Sequence, residues 1–150
     1  MTTAAARCIQ KDIHEGVRIE RNVATGVSTL KPGHFVVITS ADKFNVQATS
    51  GGQDPTILLV DDKFQGDPVS GGGVDKAYTA DNPAFAEFPP PGALRYVRVA
   101  TGQTLVKGSQ LIYNGAAALI LTTGSPDKIV AISQEAITTS GEQLVLAFIA

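Results

Sequence analysis

The residues of this 150-residue chain that could do chemistry are few, and their spacing matches no common catalytic set. Nucleophilic catalysis requires a nucleophile, a base within hydrogen-bonding distance and a group that orients the base. The chain has two histidines, His14 and His34, and one cysteine, Cys8, and no Gly-x-Ser-x-Gly motif accompanies either histidine. His34 follows a Pro-Gly turn at the start of a predicted strand. A packed or solvated histidine is favoured there over a catalytic base. We therefore predict no catalytic residues and no enzymatic activity.

The acidic and glycine-rich segments also lack the spacing of known metal and nucleotide sites. Asp61, Asp62 and Asp67 do not follow the register of a calcium loop, and the histidines and cysteine have no zinc-ligand spacing. Gly71-Gly72-Gly73 is followed neither by the Lys-Ser/Thr of a P-loop nor by the rest of a dinucleotide-binding motif. We interpret these residues as turn and loop formers, and predict no metal ion and no cofactor.

Charge and cysteine content narrow the class of protein further. Charged residues make up 17% of the chain, with 12 basic against 14 acidic side chains, compared with about 25% in an average globular domain. This balance argues against a nucleic-acid-binding protein. One cysteine cannot form an internal disulfide, which fits a reducing compartment. The sequence has no apolar run of 18 residues and no signal-peptide pattern before Lys11, so we expect neither a membrane span nor a secretion signal.

The segments that would position any functional residue have the sequence pattern of short β-strands. Between Val97 and Leu121, apolar runs are separated by turns at Gly102, Gly108 and Gly115, and Asn114-Gly115 is a strong hairpin signal. Helical periodicity is nearly absent, apart from one short helical turn allowed near 73–79. The pattern predicts a mainly β protein, a small β-sandwich or β-barrel (β-tulip or jelly-roll-like), with an extended N-terminal arm and a long Gly/Pro-rich loop.

The spacing of apolar residues predicts whether several strands are buried on one face or on both. Residues 17–21 alternate so that Val17 and Ile19 share one face of a half-buried strand. Residues 94–99 alternate in the same way, with Val97 and Val99 on one face and Tyr96 and Arg98 on the other. The continuous apolar runs 34–39 and 56–60 predict strands covered on both faces.

We divide the chain into an N-terminal arm, residues 1–15, and one β-rich domain, residues 16–150. Residues 61–92 are rich in glycine and proline and predict a long surface excursion with one short strand near Ala84–Phe88, because proline is excluded from central strands. The most apolar part of this excursion is a candidate contact with a partner or with another copy of the chain. Its residues are Phe85, Phe88, Pro89 and Pro90.

The C-terminal half of the chain resembles the head decoration (capsid cement) proteins of tailed bacteriophages. The elements that carry the resemblance are Gly73-Val74-Asp75-Lys76-Ala77-Tyr78, Pro91-Gly92 before a strand, the run from Ala100 to Leu111, Asn114-Gly115, and Val130 to Ala136 with a closing strand to Ala150. The resemblance implies a β-rich structural protein on the exterior of the virion capsid, made in the host cytoplasm. Its implied partners are the major capsid protein and itself, as a trimer in preference to a dimer, with no nucleic acid and no membrane.

The N-terminal arm, Met1 to Asp12 at least, is the segment that we expect to contact the capsid. An extended arm of small residues can add a strand to an exposed sheet edge through backbone hydrogen bonds. The candidate capsid-binding residues are Thr2, Thr3, Arg7, Ile9, Lys11 and Ile13.

Two other interpretations remain open. Exposed Tyr78, Tyr96 or Tyr113 could stack on a sugar, which is the basis for a glycan- or receptor-binding β module. The spacing of Gly102-Gln103-x-Leu105 and Gly108-x-x-Leu111 is also similar to lipoyl-type domains, in which a lysine at a hairpin tip carries the cofactor. The residues around Lys107 lack the Asp-Lys-Ala or Met-Lys-Met context of that family, so we favour the decoration protein.

Overall fold

A computed structural model describes residues 16–47, 55–60, 75–122, 124 and 128–150 of the chain. This part of the chain is built from β-strands without a helix. The strands are β1 (Val17–Asn22), β2 (Val36–Ile38), β3 (Phe44–Val46), β4 (Leu58–Leu59), β5 (Pro83–Phe88), β6 (Leu94–Val99), β7 (Thr104–Leu105), β8 (Gln110–Tyr113), β9 (Leu119–Leu121), β10 (Ala131–Ser133), β11 (Ile137–Thr138) and β12 (Gln143–Ile149). The predicted mainly β fold class is confirmed, and the predicted arm at 1–15 lies outside the described residues.

Five strands of the C-terminal half form a closed barrel in the order β10-β12-β6-β9-β8. Its longest pairing is the antiparallel ribbon of β6 and β12, with six residue pairs from Val99–Gln143 to Leu94–Phe148. Alternate residues of these strands, such as Val97, Val145 and Ala147, fill the barrel core without exposure to solvent. The side chains between them consequently point outward from the barrel.

A second apolar core lies beside the barrel, between the sheet β1-β5-β4 and the hairpin β2-β3. The residues around β2 and β4 serve both cores, because neighbouring side chains in a strand point in opposite directions. Phe35 and Leu58 belong to the barrel core, whereas Val36, Ile57 and Leu59 belong to the second core. This alternation confirms the prediction that the run 56–60 is covered on both faces.

Strand β5 corrects the prediction that the proline-rich excursion 61–92 supplies no central strand. The predicted short strand is present at Pro83–Phe88, but it lies in the centre of its sheet, between β1 and β4. Proline is tolerated there because Pro83 is the first residue of the strand. Ala84 and Ala86 are fully buried, and their small side chains let the second core close over the strand. Residues 61–74 lie outside the described part of the chain.

Three further local predictions were wrong in part. Val17 is 68% exposed, since it lies at the start of β1, although Ile19 is half-buried as expected. The run 34–39 is buried only at its beginning, because Ile38 extends beyond the second core and is 36% exposed. The helical turn allowed near 73–79 does not form within 75–79. Tyr78 is instead held to neighbouring loops and strands, its backbone N–H donating to Leu30 O.

Candidate functional site

The predicted capsid-binding residues lie outside the described part of the chain, but the point at which they join the fold is described. Gly16 leads directly into β1, which pairs with β5 along its whole length. On the other side of β1, the described residues contribute only an isolated bridge between Val23 and Phe44, beyond the end of the strand. β1 is thus an edge strand, with no fully buried residue.

The predicted partner contact around β5 is only partly exposed. Phe88 is 37% exposed, Phe85 and Pro90 are half-buried, and Pro89 is buried. Phe88 lies opposite the exposed Val17 in the β1–β5 pairing, so these two side chains form a small apolar surface next to the start of β1. Of the four predicted contact residues, Phe88 therefore offers the most surface to a partner.

A larger apolar surface lies on the outside of the barrel, and we call it the outer face. Its residues alternate with the core residues of β6, β10 and β12, and are Leu94, Tyr96, Ile132, Leu146 and Phe148. Phe148 lies between Ile132 and Leu94 in register, and Leu146 lies opposite Tyr96. Directly opposed side chains in a sheet lie about 5 Å apart at their Cβ atoms, so the five form one continuous surface.

The exposure of the outer face is unusual for apolar side chains. Tyr96 is 59% exposed, Leu94 is 44% exposed and Phe148 is 40% exposed, while Ile132 and Leu146 are half-buried. The sequence correctly placed Tyr96 on the face of its strand opposite to Val97 and Val99. The sequence did not reveal this apolar cluster. Tyr96 and Leu146 are fifty residues apart along the chain, and no sequence signal indicates which residues of β6 and β12 pair with each other.

A polar cluster at the turn before β2 is built around two buried side chains, His34 and Arg98. His34 is 4% exposed, and its Nδ1 accepts a hydrogen bond from the Lys31 backbone N–H at 2.8 Å. The opposite nitrogen, Nε2, therefore carries the proton and donates to Glu142 Oε1 at 2.6 Å. Burial lowers the pKa of His34 below its ordinary value, and the carboxylate of Glu142 opposes this effect without overcoming it.

Arg98 completes this cluster, although it lies on the same face of β6 as the exposed Tyr96. It is only 2% exposed because the turn at residues 31–34 covers it. Its Nε donates to Pro32 O at 2.8 Å, its Nη2 lies 3.1 Å from Asp75 Oδ1, and its Nη1 lies 3.8 Å from Glu142 Oε1. Sequence reasoning missed this cluster because Glu142 is 108 residues from His34 along the chain.

The contacts of this cluster support a structural role. Both ring nitrogens of His34 are engaged, one as an acceptor and one as a donor, so neither is free to accept a proton from a substrate. Of the two environments predicted for His34, packed or solvated, the structure shows the packed one. His14 lies outside the described residues. The cluster ties the turn before β2 to β6 and to the turn before β12.

The tyrosines considered for sugar stacking lie in three different environments. Tyr96 is exposed on the outer face. Tyr78 is half-buried, and its hydroxyl donates to Val60 O. Tyr113 is 1% exposed, and its ring packs edge-on against Phe35 with centroids 5.8 Å apart. Tyr113 was considered as an exposed residue that could stack on a sugar. This was wrong, because its side chain on β8 points into the barrel core.

No group of three or more His, Cys, Asp or Glu side chains suited to a metal ion occurs among the described residues. A search of the same residues for a helix able to cross a membrane found none. Asp61, Asp62, Asp67 and Gly71-Gly72-Gly73 lie outside that part of the chain. No protein-family model matches this chain, and no curated protein matches it either.

Proposed function

We propose that this chain is a structural protein that binds the outer surface of an assembled bacteriophage capsid and stabilises the contacts between capsomers. The observation that carries the proposal is the junction at Gly16, which leads directly into β1, an edge strand among the described residues. The fifteen residues before it would reach up to about 50 Å if they were extended. An arm of this reach can contact a subunit beyond the one on which the domain sits.

The composition of the arm suits binding by strand addition. In strand addition, backbone hydrogen bonds supply affinity, and every second side chain faces the bound surface. Arg7, Ile9, Lys11 and Ile13 share this two-residue spacing. Small residues at positions 2–6 place few steric demands on the edge to which the arm would be added.

Reinforcement of a shell does not require tight binding by each copy. A capsid presents many equivalent sites, and an arm and a domain that bind together act as linked contacts with a high effective concentration. Each docked copy that bridges two capsomers must be released before those capsomers separate. The bound copies therefore raise the barrier to opening of the shell.

A proline scan of the arm tests this mechanism. Proline removes a backbone donor, and only alternate residues of an added strand donate to its neighbour. Substituting Ala4, Ala5 and Ala6 one at a time by proline should weaken co-sedimentation with capsids at alternate positions only. The matched serine substitutions at the same positions should bind as the unsubstituted chain does.

Removal of residues 1–12 is the stronger form of the same test. The truncated chain should keep its β-sheet circular dichroism and its thermal transition, because the described fold begins at Gly16. Its co-sedimentation with capsids should be lost. Full retention of capsid binding by the truncated chain, or by all three proline variants, contradicts the proposal.

The second candidate function is binding of a glycan or receptor at the virion surface. Its supporting observation is the exposed ring of Tyr96, since an aromatic face can stack on a sugar. A glycan array separates the two functions. A specific glycan bound through Tyr96, by a chain that does not bind capsids, favours this alternative.

A further inference from the structure

We infer that the outer face of the barrel is a contact between two copies of this chain, packed against each other around a two-fold axis. This inference is independent of capsid binding, because it concerns the free protein in solution. It rests on the size of the outer face, on its lack of charge and on its position on a regular sheet.

The exposed apolar area of the outer face is large enough to form the centre of a stable interface. A large apolar side chain offers about 200 Å² of surface. The exposed fractions of Leu94, Tyr96 and Phe148 then correspond to about 300 Å² together. A standard interface buries about 800 Å² per partner, of which roughly 60% is apolar. Three side chains thus supply more than half of the apolar area that such an interface requires.

The chemistry of the outer face makes a second copy a suitable occupant. Its five residues carry no charge, so two identical faces can meet without repulsion between like charges or burial of an unpaired ion. The rim of the outer face is polar: Gln110 and Gln134 are uncharged, and the carboxylate of Glu135 accepts a hydrogen bond from the Leu146 backbone N–H at 2.8 Å. The pattern of an apolar centre and a polar rim is that of a protein interface.

The geometry of the sheet permits such a contact. The outer face lies on β10, β12 and β6, which are consecutive strands of the barrel. Sheets pack face to face at about 10 Å with their strands within about 30° of each other, and side chains from the two faces interdigitate. In a two-fold contact each copy contributes the same surface, so every residue of the outer face becomes buried in both copies.

Analytical ultracentrifugation of the full chain over a range of concentrations tests the inference. The unsubstituted chain should sediment as a dimer at micromolar concentration. Tyr96→Glu and, separately, Leu94→Glu should raise the dimer dissociation constant by at least about 100-fold, because a buried charge is introduced on both sides of the contact. Both side chains are exposed in the single chain, so neither substitution disturbs the core.

The matched control is Val106→Glu. Val106 is 63% exposed but lies in the turn after β7, outside the outer face. This variant should sediment as the unsubstituted chain does, and thermal melts of all three variants establish that they are folded. A monomer at the highest concentrations, a trimer, or a dimer that both folded glutamate variants preserve would overturn the inference.

Discussion

Gly33 lies at the junction of the two cores, and its replacement by alanine tests whether that junction is as closely packed as the structure indicates. Its N–H donates to Leu59 O at 2.9 Å and its carbonyl accepts from the Arg98 N–H at 2.8 Å. Its φ is +89°, a conformation that costs a residue with a Cβ atom about 1–2 kcal/mol. An added Cβ would lie 2.5 Å from Leu144 Cδ2 and 3.1 Å from Arg98 Cγ.

The expected destabilisation is the sum of the backbone and packing effects. Overpacking costs about 1–3 kcal/mol, and the lower value applies here because Leu144 Cδ2 is the end of a flexible side chain. Gly33→Ala should thus lower the free energy of unfolding by about 2–3 kcal/mol and the melting temperature by about 4–12 °C. Urea and thermal unfolding at neutral pH measure both quantities.

Gly92→Ala is the control that separates the two effects. Gly92 has a φ of +84°, and an added Cβ would meet no atom within 4 Å. This variant should lose only the backbone cost, about 1–2 kcal/mol. If Gly33→Ala is no less stable than Gly92→Ala, the close approach at the junction is refuted.

Three further predictions concern buried side chains. Because the pKa of His34 is lowered on folding, stability is complete above about pH 6.5 and declines as the pH falls below it; the melting temperature of His34→Asn should depend less on pH between 8 and 5.5 than that of the unsubstituted chain, and an unchanged slope would contradict this. Tyr113→Ala should cost about 3–5 kcal/mol in urea unfolding, since its ring is buried in the barrel core, and a loss under 1 kcal/mol contradicts this packing. Arg98→Met should cost about 1–3 kcal/mol because it leaves the buried Pro32 carbonyl without this donor; Asp75→Ala should cost less than about 1 kcal/mol because that carboxylate is largely in solvent, and equal losses would be inconsistent with this difference.

The parts of the fold that sequence could predict are those set by local periodicity. The run 56–60 is apolar throughout because its alternate residues enter two different cores, and this requirement is visible in five consecutive residues. Glycine turns likewise mark the strand ends at Gly102 and Gly108, both of which have a positive φ. Local signals of this kind were sufficient to predict a mainly β protein.

The candidate surfaces depend on contacts between distant residues, and sequence could not supply them. Periodicity places Tyr96 on the face opposite to Val97 and Val99, but its clustering with Leu146 and Phe148 follows from the register of β6 and β12. Arg98 has the same parity as Tyr96 and is nevertheless buried, because a turn more than sixty residues earlier covers it. Tyr113 could not be assigned inward without knowledge of barrel closure.

The two proposed contacts lie in different places on the molecule. The proposed capsid contact joins the described residues at Gly16, at the start of β1, whereas the outer face lies on the barrel strands β6, β10 and β12. A copy that uses the first for the capsid can therefore use the second for another copy. Tyr96→Glu should accordingly reduce dimer formation more than it reduces capsid binding by the arm.

The most direct test of the proposed function is a three-dimensional electron-microscopy reconstruction of the capsid with and without this protein. We predict additional β-rich density on the outer surface at the junctions between capsomers, with a strand that leads from β1 onto the major capsid protein. Identical capsid surfaces in the two reconstructions, or density for this chain inside the shell, would contradict the proposed function.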